Sequence, residues 1–168
     1  MINKGRVYWI TGLSGAGKTT VGGMLFKRLR DEKANVVLLD GDVVRKAFGN
    51  DLGYTREDRH EMAMRYSRIC RMLSEQGIDV VCCTISMFDD VRDWNRENIA
   101  EYREVYLRVS REVLAQRNQK DLYASAQDEL VGFGVTMDEP KQPNLVLDND
   151  GMHSPEEAVE AIWKELVK

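Results

Sequence analysis

The sequence predicts an α/β domain built on a parallel, doubly wound sheet with helices on both faces. Three observations carry this. Five short apolar runs recur along the chain, helical periodicity fills the segments between them, and a glycine-rich turn joins the first run to the first helix. Strands buried on both faces read as continuous apolar runs, and strand–helix alternation with short connections closes into right-handed crossovers.

The elements follow in order. Val7-Tyr8-Trp9-Ile10-Thr11 is the first strand, and a helix starting near Gly17 carries Val21, Met24, Leu25, Phe26 and Leu29. Val36-Val37-Leu38-Leu39 is the second strand and runs into Asp40-Gly41-Asp42. A short helix over 43–48 precedes a Gly/Asn/Asp-rich break at 49–53. Thr55 with Asp58 three residues on resembles a capping box and opens a long helix to about Gln76, with Gly77 as its stop. The third strand is 80–85. A helix over about 90–98 leads to the fourth strand, 104–109, and Ser110 caps a helix through Leu114 to Arg117. Residues 119–143 are polar and weakly periodic, and Leu145-Val146-Leu147 is the fifth strand. Ser154-Pro155-Glu156-Glu157 starts a last helix whose Val159, Ile162, Trp163 and Leu166 share one face.

Composition narrows the function classes. At 168 residues the chain makes one domain with a substantial core. Its net charge of −4 argues against nucleic acid or an anionic membrane as a partner. No apolar run approaches membrane-spanning length, and the first residues do not read as a signal peptide. Cys70, Cys82 and Cys83 lack metal-type spacing; Cys82 and Cys83, adjacent in a strand, point to opposite faces and read as reduced, buried thiols. A cytoplasmic enzyme fits all of this.

The glycine-rich turn, Gly12-Leu13-Ser14-Gly15-Ala16-Gly17-Lys18-Thr19, is a complete G-x-x-x-x-G-K-[ST] phosphate-binding loop. Chance would produce the motif in such a chain on the order of 1% of the time, and here it also lies between strand and helix. The glycines turn backbone N–H groups toward phosphates at a helix N-terminus. Lys18 reaches the β- and γ-phosphates and the Thr19 hydroxyl is a ligand for Mg²⁺, which commits the chain to a nucleoside triphosphate. Asp40 and Asp42 follow the second strand at the same sheet edge, where ligands of open α/β sheets collect. Two carboxylates there suit organising Mg²⁺ and accepting a proton from an attacking hydroxyl; an Asp-Gly-Asp turn that merely caps a helix is the alternative. No aspartate ends the third strand, which tilts the choice toward a functional pair. Arg45, Lys46, Arg56, Arg59 and Arg65 are candidate clamps for anionic groups, or a solvated face. Ser86 ends the third strand, as a substrate contact or as a plain strand-end serine. His60 reads as a surface histidine, and His153 has no evident role.

Taken together these residues resemble adenylyl-sulfate (APS) kinase, a small P-loop kinase that phosphorylates the ribose 3′-hydroxyl of adenosine 5′-phosphosulfate. The matching segments are Trp9 to Thr20, Leu39-Asp40-Gly41-Asp42-Val43-Val44-Arg45 and Leu52-Gly53-Tyr54-Thr55-Arg56-Glu57-Asp58-Arg59. Weaker matches continue at Ile85-Ser86, Gln116-Arg117-Asn118, Leu122-Tyr123, Gly132-Phe133 and 145–147. The resemblance implies a P-loop kinase fold, with ATP held by Gly12, Ser14, Gly15, Ala16, Gly17, Lys18, Thr19 and Thr20, and Arg117 near its adenine. It makes Asp42 the general base, with Lys18 and Ser86 also catalytic, and Thr19 and Asp40 the Mg²⁺ residues. The acceptor would lie among Asp42, Arg45, Tyr54, Arg59, Ile85, Ser86 and Phe133, with Tyr54 and Phe133 around its base. Residues from about 119 to 137 correspond to a mobile lid, and family members are commonly homodimers.

The chain departs from the family pattern on the acceptor side. Met62 stands where the family has a substrate-binding Asn, and Met64 where it has Arg. The lid's usual Lys-Lys-Ala-Arg is Ala124-Ser125-Ala126-Gln127, its Lys before Gly-Phe is Val131, and Phe-Ile-Ser-Pro is Thr84-Ile85-Ser86-Met87. Each desolvated polar contact of this kind is worth roughly 1–3 kcal/mol. An intact donor half beside a changed acceptor half implies APS or a related acceptor such as cytidine diphosphoramidate. A nucleotide-binding regulatory module without phosphotransfer is the alternative.

Overall fold

Val7–Thr11 (β1) is buried along its whole length, because it lies at the centre of the sheet with helices above and below it. In the computed structural model, which describes residues 2–121 and 137–168, β1 leads through the glycine-rich turn into Lys18–Glu32 (α1). The chain continues through Val36–Asp40 (β2), Gly41–Ala47 (α2), Arg56–Glu75 (α3), Asp79–Thr84 (β3) and Asp89–Asn98 (α4). Tyr102–Arg108 (β4), Arg111–Asp121 (α5), Leu145–Asp148 (β5) and Pro155–Ile162 (α6) complete the order, and a π-helical turn over Trp163–Val167 follows. The five described strands form one parallel sheet in the order β2-β3-β1-β4-β5.

Burial follows that order. The inner strands β1 and β3 are buried at every position, whereas the edge strands β2 and β5 are only partly covered. Alternation along each inner strand then sorts side chains between two cores. Tyr8, Ile10, Val81 and Cys83 face α1 and α6, packing with Val21, Leu25, Val159 and Ile162. Val7, Trp9, Val80 and Cys82 face α3 and α4, packing with Met62, Ala63, Tyr66, Cys70 and Val91. Cys82 and Cys83 thus go to opposite faces as expected, and all three cysteines are buried free thiols. Each fully covered large apolar side chain contributes about 1.5–3 kcal/mol.

Local signals explain the ends of the elements. Thr55 Oγ1 accepts from the Asp58 N–H at 3.1 Å and caps α3, while the Asp58 carboxylate accepts from the Gly53 N–H at 3.1 Å and ties down the preceding loop. At α6 the box is reciprocal: Ser154 Oγ accepts from the Glu157 N–H, and Glu157 Oε2 from the Ser154 N–H.

Several boundaries differ from the sequence reading for physical reasons. The short helix α2 begins at Gly41 and not at 43, because Asp40 itself caps it. The third strand begins at Asp79, whose buried carboxylate accepts from the Arg6 N–H at 2.8 Å and pairs with Lys33. It stops at Thr84, since Ser86 adopts a left-handed conformation with φ 37°. The fourth strand begins at Tyr102 and contains a fully buried carboxylate, Glu104, made tolerable by Arg96 at 2.5 Å and Arg92 at 3.5 Å. Among the described residues no helix is long and apolar enough to cross a membrane.

Candidate active site

Because every described strand is parallel, their C-terminal ends meet at one edge, and the glycine-rich turn lies over it. Gly15 and Gly17 take φ of 86° and 94°, the left-handed region that glycine enters without steric cost. Gly17 is also the N-cap of α1, so the first N–H groups of a 15-residue helix open into the turn. Lys18, the first residue of α1, folds back so that Nζ donates to the Leu13 carbonyl at 2.9 Å across the loop. Burial lowers its pKa from 10.5 to about 8, with Asp42 and Asp40 working in the opposite direction.

Thr19 and Asp40 are brought together from elements 21 residues apart: the Thr19 hydroxyl donates to Asp40 Oδ2 at 2.9 Å. The other oxygen, Oδ1, accepts the Asp42 N–H at 3.1 Å and caps α2. The capping reading of Asp40 therefore holds, and because a carboxylate has two oxygens the cap leaves Oδ2 turned to Thr19. Asp42 lies one residue into α2, exposed at the same edge and close enough to Lys18 to raise its pKa. Tyr66 of α3 donates to the Gly41 carbonyl at 2.9 Å and braces the turn from below; burial pushes its own pKa up to about 12.

A hydroxyl and a carboxylate in contact beside a phosphate loop match what Mg²⁺ takes from proteins of this kind, which is one or two oxygen ligands with phosphates and water supplying the rest. Among the described residues no group of three His, Cys, Asp or Glu stands ready to hold a metal alone.

Among the residues expected to meet the acceptor, Arg45 Nη1 donates to the Leu52 and Gly53 carbonyls at 2.9 and 3.0 Å and lies over the Tyr54 ring at 4.5 Å. Arg59 lies over the same ring at 5.2 Å, and its Nε donates to the Tyr54 carbonyl at 2.8 Å. Tyr54 is thus a half-exposed ring framed by two guanidiniums. Arg65 is committed elsewhere, in a two-pronged pair with Asp51 at 2.8 and 2.9 Å. Ser86 is buried, shares a hydrogen with Thr84 Oγ1 at 2.6 Å and holds the strained φ noted above. Strain of that kind collects at functional sites and needs surrounding structure to hold it. Ile85 packs against the cluster of Leu13, Met87, Tyr106 and Leu114, while its carbonyl accepts the Thr11 hydroxyl. Thr20 is exposed on α1. His60 pairs with Asp90 at 2.6 Å and meets the edge of Phe88.

Met62 is nearly fully buried among Trp9, Val80 and Cys82, and Met64 packs against the same cluster. The two departures in α3 therefore extend the apolar core, and neither replaces a polar contact by another. Phe133, Ala124, Ser125, Ala126, Gln127, Val131 and nearly all of the 119–137 segment lie outside the described residues.

Sequence reasoning missed Asn149. It is buried just past β5, and its Nδ2 donates to the Ala16 carbonyl at 2.7 Å. Arg117, expected near adenine, donates through Nη1 to the Gly15 carbonyl at 3.0 Å and through Nη2 to the Asn149 carbonyl at 2.7 Å. The available signal was a polar Asn-Asp pair immediately following an apolar strand, which put Asn149 at the ligand edge of the sheet.

A cradle of helix N–H groups, a lysine and a hydroxyl–carboxylate pair, set at the strand ends of a parallel sheet of this order, defines a P-loop kinase. The family follows from comparison. The adenylylsulphate kinase family profile matches residues 4–148, and this chain belongs to that family of phosphotransferases. The cytidine diphosphoramidate kinase of Campylobacter jejuni subsp. jejuni serotype O:2 is 38% identical over 170 residues, covering 99% of each chain. The adenylyl-sulfate kinase of Halothermothrix orenii is 40% identical over 151 residues, 88% of this chain and 82% of that one. Among solved structures, the Mycobacterium tuberculosis APS kinase CysC in complex with AMPPNP and APS superposes with a TM-score of 0.86 at 28% identity, covering 98% and 99% of the two chains.

Proposed function

We propose that this chain transfers the γ-phosphoryl group of ATP to the ribose 3′-hydroxyl of a small nucleotide, and that the acceptor is cytidine diphosphoramidate. The observation that carries the transfer is the convergence of Lys18, Thr19 and Asp40 on the glycine-rich loop, with Asp42 beside them. The acceptor hydroxyl oxygen forms the new bond to the γ-phosphorus, the bond from that phosphorus to the bridging oxygen breaks, and ADP leaves. Asp42 receives the hydroxyl proton. Lys18 sits on the β- and γ-phosphates, Ser14, Gly15, Ala16, Gly17 and Thr20 line the triphosphate, and Arg117 flanks the adenine end. Thr19 and Asp40 would hold Mg²⁺, which when bound supplies positive charge against the charge developing on the phosphoryl oxygens.

Arg45 and Arg59 hold the anionic end of the acceptor and Tyr54 stacks on its base, with Phe133, Ile85 and Ser86 completing the pocket. Two points support cytidine diphosphoramidate over APS. The Campylobacter jejuni relative is 38% identical over 99% of both chains, against 35% and 34% for adenylyl-sulfate kinases matched over as much of this chain, and the α3 positions that carry Asn and Arg in the APS kinase pattern are apolar here and packed into the core. APS is the second reading, favoured by the Halothermothrix orenii relative.

The same reading makes residues 1–168 a single P-loop kinase domain with 119–137 as its lid. It also makes the chain a homodimer in the cytoplasm, without nucleic-acid or membrane partners, in line with its charge and its reduced thiols.

The test is ATP turnover against APS, cytidine diphosphoramidate, CDP and AMP, with the product's phosphate located by phosphorus NMR. Fastest transfer to cytidine diphosphoramidate, at the 3′ position, is expected. Efficient transfer to APS alone overturns the acceptor assignment, and no transfer to any nucleotide replaces the kinase by a binding module. Asp42→Ala abolishes transfer and leaves ADP binding intact; unchanged turnover removes Asp42 from the base role.

A further inference from the structure

We infer that Asn149, through its side-chain amide and with Arg117, is the positioning residue that sets the phosphate loop for nucleotide binding. The inference rests on reading that loop as the ATP site.

A trans peptide is planar, and its C=O and N–H point in opposite directions. Whatever holds the Ala16 carbonyl therefore aims the Gly17 N–H the other way. Asn149 Nδ2 holds that carbonyl at 2.7 Å from one side, so the Gly17 N–H turns to the opposite side, where the N-terminus of α1 opens. Arg117 does the same one peptide earlier. Its bond to the Gly15 carbonyl at 3.0 Å turns the Ala16 N–H inward to the Leu13 carbonyl at 3.0 Å, which closes the loop. Lys18 Nζ meets that same Leu13 carbonyl, so the clamp and the lysine share one frame.

Asn149 is itself fixed. Its backbone N–H donates to the Arg108 carbonyl at 2.9 Å, as a continuation of the β4–β5 pairing, and its carbonyl receives Arg117 at 2.7 Å. Its side chain is nine-tenths buried, in a stretch of chain otherwise only partly covered. The fit with the loop is close: a Cβ on Gly17 would stand 2.7 Å from Asn149 Nδ2. The last loop glycine, Gly17, is thus required twice, by its φ of 94° and by the amide packed against it.

Two variants test this, Asn149→Ala, which removes the amide, and Asn149→Asp, which keeps its shape and loses the donor. Calorimetric titration with ADP, with adenosine and with the acceptor nucleotide reads the outcome, beside a melting temperature for each variant. ADP affinity falls about five- to tenfold in Asn149→Ala and further in Asn149→Asp, the expected scale for one lost hydrogen bond. Adenosine and acceptor affinities stay within twofold. An ADP affinity within twofold of the parent in Asn149→Asp, with the fold retained, overturns the inference. So does a loss shared equally by adenosine, which has no phosphate to reach the loop and would put Asn149 at the base. If Asn149→Ala does not fold, the near-isosteric Asp variant decides alone. A parent chain that binds no ADP overturns the ATP-site reading itself, a result distinct from either.

Discussion

Proton uptake by Lys18 links nucleotide binding to pH, and its size follows from the site. Burial lowers the lysine from 10.5 to about 8, so in the nucleotide-free protein the ammonium deprotonates in a range where an exposed lysine stays charged. The sign follows from that. ADP phosphates bind the protonated form, so binding restores the proton above pH 8, and affinity falls as pH rises. If only the ammonium binds, the dissociation constant rises about 25-fold between pH 7.5 and 9.5, on the order of 2 kcal/mol. Calorimetric titration with ADP across that range, repeated in buffers of different ionisation enthalpy, reads both the affinity and the proton taken up. Lys18→Met binds weakly and without this slope. Linkage also predicts that the free protein's stability gains from this group as pH rises from about 8 to 10.5, because there the unfolded chain holds the proton that the folded chain has given up. An ADP affinity that is flat to pH 9.5 in the parent chain refutes the argument.

Two further expectations concern stability. Gly22 and Gly23 are neighbours in α1, yet their alanine variants move in opposite directions. A Cβ on Gly22 would stand 2.1 Å from Cys83 Sγ, so Gly22→Ala destabilises by about 1–3 kcal/mol despite better helix propensity, and Cys83→Ala in that background recovers much of the loss. A Cβ on Gly23 meets nothing within 4 Å, so Gly23→Ala stabilises by about 0.5–1 kcal/mol; urea denaturation measures all three. Glu104→Leu leaves the buried Arg92 without its partner in β4 and lowers stability by about 3–5 kcal/mol in the same assay, and an unchanged midpoint would show that the buried network is not holding the strand.

Much of this molecule was legible in the chain because its signals are local. The inner strands announced themselves as continuous apolar runs, Thr55 and Ser154 as caps, and the loop from Gly12 to Thr19 as a phosphate cradle. The boundaries that moved did so where a distant partner changed the local rule. Asp79 and Glu104 are charged residues inside strands, tolerable only because Lys33 reaches the first from just past α1 and Arg96 and Arg92 reach the second from α4. Tyr54, Arg45 and Arg59 were singled out, but the framing of one ring by both guanidiniums depends on how α2 meets α3.

By itself, then, the sequence determined the element types, the phosphate loop, and the alternation that sends Cys82 and Cys83 to opposite faces, since these depend on neighbours within a few residues. Only the tertiary structure decided the strand order, the burial of Met62 and Met64, and the contact of Thr19 with Asp40. The same holds for the Asn149–Arg117 clamp, whose bonds span 133 and 102 residues. Contacts of that length exist only after the sheet has ordered its strands, and no local pattern encodes them.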